Sequence, residues 1–245
     1  MKRIYSIITK STYLVISLLS VILTCIYSPT FATGFTYYAT LINLLSFLFI
    51  AFILINEIQN KFYQTNVFHT FRGIILIGLI TMFIVYYFIL AGNDPKFYFF
   101  NWANIFAKIL SPLLFLLDYI LFDRKQELKI SDLSCFLLIP VVYIIYVYIS
   151  AMLGGLFYVD FNPMNFSKFP YFFLNIELIG FGNVCLWVLG IGAGILVLSL
   201  GLIALDHFIP KWIAWIKASP EERKNKSYIK PKTAEVSMGL PTDEE

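Results

Sequence analysis

With 245 residues, 59% of them hydrophobic and only 13% charged, the chain carries more apolar side-chain surface than one soluble core can bury. Its net charge of +3 comes from Lys and Arg clustered at the ends of apolar runs, not from a stripe that would track a nucleic-acid backbone. The cysteines Cys25, Cys135 and Cys185 stand singly in apolar stretches, which gives neither a disulfide framework nor a spaced zinc set.

The reading that remains is an all-α, polytopic membrane bundle, because a helix crosses about 30 Å of hydrocarbon in about 20 residues. Six runs have that length. The first, 11–28, follows Lys2, Arg3 and Lys10. As a cleaved leader it would be long, and the positions before Ala32 lack the small residues of a processing site. The second, 36–57, opens on "TYYATLINLLSF", where Thr36, Thr40 and Asn43 recur at i, i+4 and i+7 and so share one helical face.

The third run, 72–91, follows His69 and begins at Arg72. The fourth, 101–122, reads "NWANIFAKILSPLLFLLDYILF", and Asn101, Asn104, Lys108, Ser111, Phe115 and Asp118 recur every three or four residues. Lys108 is the basic residue that lies inside a run instead of at its edge, and intramembrane charges of that kind face a bundle interior. The fifth run is 134–156.

A turn-rich aromatic segment then leads to the sixth run, 183–206, which contains "GIGAGILVLSLG". That motif lacks the third glycine and the preceding strand of a dinucleotide fingerprint. Gly190 and Gly194 are therefore expected to let another helix approach closely. "PKWIAWIK", 210–217, reads as an interfacial helix with Trp212 and Trp215 at headgroup depth. Residues 1–217 thus form the transmembrane domain, and 218–245 a charged tail that is expected to be disordered.

The flanking charges predict orientation. Fifteen Lys and Arg fall at the N-terminus, in loops 2–3 and 4–5 and from Lys211 onward, against Lys96 and Lys168 on the other side. The positive-inside rule then puts both termini in the cytoplasm of a cell membrane. Thr36, Thr40, Asn43, Asn101, Asn104 and Lys108 come to lie toward the outer side, as walls of a polar pocket or as interhelical glue. Glu177 is a candidate partner for Lys108. Asp118 is expected to be an interfacial carboxylate, and His69 and His207 interfacial histidines on the cytoplasmic side.

The pieces "GFTYYATLINLLSF", the fourth run and "FPYFFLNIELIG", in this order, resemble the androgen-induced protein and androgen-dependent TFPI-regulating protein family, most of all its small bacterial multi-span relatives. Its animal members are membrane threonine hydrolases that act on fatty-acid esters of hydroxy fatty acids. The resemblance implies that Thr36, after Phe35, is the nucleophile. It sets Asn104 and Pro112 around the position of the family's base, where this chain has Lys108 in place of histidine. A threonine hydroxyl needs a base to attack an ester, and a lysine can serve only when deprotonated.

On this reading Asn43 and Asn104 would orient the substrate or stabilise an oxyanion. The partners are membrane lipids, with a lipid ester as substrate and no nucleic acid. No metal or organic cofactor is implied. The readings from other classes are a non-catalytic lipid-binding or small-solute transport protein using the same pocket, and a scaffold.

Overall fold

The structure, a computed structural model, describes residues 2–28, 34–61, 65–90, 102–158 and 166–217. These form α1 (Lys2–Tyr27), α2 (Tyr38–Ile58), α3 (Asn66–Leu90), α4 (Trp102–Phe122), α5 (Ile130–Met152), the short α6 (Ile176–Ile179) and α7 (Phe181–Lys217). Six of these helices are long and apolar enough to cross a membrane, so the expected all-α multi-pass class holds. A helix pairs its backbone groups within itself, which is what hydrocarbon demands. The departure among the described residues is a short antiparallel pairing of β1 (Phe157–Tyr158) with β2 (Phe166–Ser167).

α3 begins at Asn66, ahead of the expected start at 72, because Thr65 caps it and the polar residues His69, Thr70 and Arg72 find partners or burial inside the bundle. The segment expected as a separate interfacial helix, 210–217, continues α7 without a break. The side chains of Trp212 and Trp215, the tail 218–245 and Asn101 lie outside the described residues.

α1 packs along both α2 and α4, and α3 lies against α2 and α4. Their shared core holds Tyr13, Ile42, Ile50, Ile75 and Phe115. Close approach is set by Gly78, where an added Cβ would stand 2.8 Å from Ile42 Cδ1, and by Gly73, where it would meet Phe136 at 2.9 Å. The expectation for Gly190 and Gly194 is corrected. A Cβ at either would meet nothing within 4 Å, so in this bundle they face outward.

Two π turns interrupt the spans, Val85–Leu90 in α3 and Ile105–Leu110 in α4. In α4 the wide turn sends the Ser111 N–H to Phe106 O, and the next residue, Pro112, has no N–H to donate. The Ala107 carbonyl accepts instead from the Asn43 side chain on α2, at 3.2 Å. A neighbouring helix thereby satisfies a backbone group that proline leaves bare.

Candidate functional site

Three polar stripes meet at the α1–α2–α4 seam. On α1, Ser6, Lys10, Tyr13, Ser17, Ser20, Thr24 and Ser28 recur every three or four residues and are all buried. Most of them serve their own helix: Ser17, Ser20, Thr24 and Ser28 donate to carbonyls three or four residues earlier. Such hydroxyls are spent, and this length of α1 is a packing surface. The sequence reading passed over the stripe, although the same periodicity that marked α4 would have found it.

The seam changes character at Tyr13, whose hydroxyl donates to Ser46 Oγ on α2 at 2.6 Å and lies 3.1 Å from Ser111 Oγ on α4. One turn further along α2, Asn43 Nδ2 donates to Ala39 O at 2.7 Å as well as to Ala107 O. Two carbonyl neighbours require the nitrogen on that side, so Oδ1 points away, buried and without a partner among the described residues. Two threonine hydroxyls share that condition, Thr40 Oγ1 on α2 and Thr81 Oγ1 on α3. Buried polar atoms are rarely left so, and each marks a place where water or a ligand group completes the set.

Lys108 belongs to this group. It is buried in the π turn of α4, donates to Asn104 Oδ1 at 2.8 Å and stands over the Tyr86 ring of α3. An amide oxygen and an aromatic face both favour the charged ammonium. No carboxylate pairs with it among the described residues. The expected pairing with Glu177 is corrected: Glu177 is exposed on α6 and binds Lys168 at 2.5 Å.

Register decides which threonine accompanies Lys108. Asn43 meets Ala107 and Ser46 meets Ser111 through Tyr13, so α2 and α4 run in parallel. The same offset sets Thr40 level with Asn104, the residue to which the Lys108 ammonium reaches. Ile42 against Gly78 in the antiparallel α2–α3 pair brings Thr81 to about the same height. α2 begins at Tyr38, so Thr36 precedes the helix and does not share the helical face of Thr40 and Asn43. Its carbonyl accepts from Tyr143 of α5 at 3.3 Å.

At the opposite end of the bundle lies a second cluster. Asp118 is fully buried, pairs with Arg72 of α3 and has Oδ1 3.2 Å from Lys10 Nζ of α1. Lys10 also meets Glu57 of α2 at 3.3 Å, and Arg72 pairs with Asp123. Asp118 is therefore turned into the bundle, where cations of α1 and α3 meet it. His69 is likewise buried, both ring nitrogens lacking a partner among the described residues, whereas His207 meets the Ile203 carbonyl on its own helix. Lys10 and Arg72 escaped the sequence reading because a cation at the end of an apolar run looks the same whether it turns toward water or inward.

No family model, curated protein or solved structure matches the chain. No group of three or more metal-ligating side chains occurs among the described residues.

Proposed function

We propose that this multi-pass membrane protein binds an amphiphilic acyl lipid, with the lipid's anionic head against Lys108 and its chain along the apolar surface of the spans. The observation that carries the reading is a buried lysine with no carboxylate partner among the described residues, set level with the unpartnered Thr40 hydroxyl. A desolvated ammonium with a neutral amide and a ring for neighbours gains most from an anion. Thr40 Oγ1 and Thr81 Oγ1 can donate to the same head, while Asn43 Oδ1 can accept from a hydroxyl or a water beside it. By the charge asymmetry of the loops this site opens toward the side away from the cytoplasm, in a cell membrane.

The direct test is native mass spectrometry of the purified protein with oleate, an anionic phospholipid and a neutral diacylglycerol. Wild type should retain the anionic amphiphiles and Lys108→Met should lose them at equal thermal stability. Equal retention by both proteins would remove the proposal.

A second reading, ester hydrolysis as the family resemblance implies, is favoured by one observation. The Thr40 hydroxyl is uncommitted and stands at the height of the lysine, which makes it a candidate nucleophile beside Thr36. As an ammonium Lys108 would suit stabilising an oxyanion, and as a neutral amine it would suit taking the threonine proton. A fluorophosphonate probe distinguishes the cases: labelling lost in Thr40→Ala but kept in Thr36→Ala assigns the nucleophile, and no labelling of wild type leaves binding as the activity.

A further inference from the structure

The charged end of the bundle holds a buried ionic cluster that joins α1, α2, α3 and α4. Its cations are Lys10 of α1 and Arg72 of α3. Its carboxylates are Glu57 of α2, and Asp118 and Asp123 of α4 and its C-cap. Other charged groups flank it, and the exposed Arg3 of α1 donates to the Glu57 and Ile58 carbonyls at 2.9 and 3.2 Å. Lys125 donates to Tyr119 O and sits over the Tyr119 ring, 3.8 Å from its centroid. Asp206 accepts from the Tyr119 hydroxyl at 2.8 Å and from the backbone N–H groups of Glu127 and Leu128. The side chains of Lys10, Arg72, Asp118 and Asp123 are all more than nine-tenths buried. His69 of α3, one turn from Arg72, adds a buried titratable ring on the same side of that helix.

The three carboxylates are not equivalent. Asp118 has a cation beside each oxygen, Arg72 at Oδ2 and Lys10 3.2 Å from Oδ1, although Oδ1 accepts no hydrogen bond among the described residues. Glu57 has Lys10 and the Ser6 hydroxyl and is the most accessible of the three. Asp123 has a single cation on Oδ1, while Oδ2 is buried with no hydrogen-bond partner. A buried carboxylate oxygen that accepts no hydrogen bond is relieved most simply by a proton.

We propose that Asp123 Oδ2 is the seat of an exchangeable proton, taken up from the aqueous phase at the charged end of the bundle. Asp123 is the C-cap of α4 and precedes the exposed Arg124, so exchange needs no passage through the spans. One O–H bond forms, the cluster gains one positive charge, and no other bond or electron moves. Burial pushes the Asp123 carboxyl up to about 6 and neighbouring Asp118 adds to the rise, although Arg72, Lys125 and Lys10 oppose it. The seat would then change occupancy close to neutral pH. It is independent of the lipid reading for Lys108.

Infrared difference spectroscopy of the whole protein in nanodiscs reads this directly, through the C=O stretch of a protonated carboxyl. Wild type should show such a band that titrates away near pH 6, and Glu177→Gln should keep it. Asp123→Asn should lack the band, and Asp123→Glu should shift its frequency and midpoint, which keeps the test alive if the asparagine variant folds poorly. A band untouched by both Asp123 substitutions, or none titrating between about pH 4 and 8, overturns the proposal. So does a band displaced by sodium but not by potassium at equal ionic strength, since that assigns the seat to a metal cation.

Discussion

Asp118 sits between Lys10 and Arg72, so neutralising it strands two cations inside the bundle at once. Breaking a buried pair from one side costs about 3–5 kcal/mol, far more than the pair itself contributes. Asp118→Asn should therefore lower thermal stability in detergent sharply, and adding Lys10→Met should recover part of the loss. Glu177→Gln, at an exposed pair, should change it by less than about 1 kcal/mol. Asp123 adds a pH signature. Its carboxyl rises from an ordinary 3.8 to about 6 on folding, so the folded state holds the extra proton between those values. Its stabilising share is complete below pH 3.8 and lost as pH passes about 6. Wild type should thus lose stability relative to Asp123→Asn across that window; a constant difference would contradict the burial argument. At this scale the sequence disclosed Lys108, since a cation in mid-run admits few readings. It did not disclose Lys10 or Arg72, whose partners lie on other helices.

Between helices, contact depends on which small residue faces which neighbour. Gly78 meets Ile42 and the Tyr38 hydroxyl of α2, so Gly78→Leu should overpack that contact and cost about 1–3 kcal/mol or more. Gly194→Leu should leave the stability of the single bundle unchanged, because a Cβ there meets nothing within 4 Å. A large loss in Gly194→Leu, read as thermal stability of the monomer, would mean that α7 packs otherwise. The spacing of Gly190 and Gly194 was plain in the sequence. Its meaning was not, since a small-residue stripe states how closely a helix can be approached and not whether one is there. The stripe on α4 was more informative. Lys108, Ser111, Phe115 and Asp118 all point inward, because polar groups have nowhere else to go in hydrocarbon. What periodicity could not supply was the π turn, nor the end of the α2 face before Thr36.

Across the whole molecule the six spans follow from hydropathy alone, while the packing of α1 against α2 and α4 brings together polar groups from distant segments. The charge asymmetry predicts the orientation. A cysteine at Ser167 should react with an impermeant reagent from outside intact cells and one at Lys129 should not, and the reverse pattern would place the Lys108 site on the cytoplasmic side. The account as a whole rests on Lys108 acting through its charge, which a pH series of ligand affinities measures most directly. Oleate binding should be equal in wild type and Lys108→Arg from about pH 6 to 9, lost above about pH 7 in Lys108→His, and absent in Lys108→Met. Undiminished binding by Lys108→Met, with the fold intact, would contradict it.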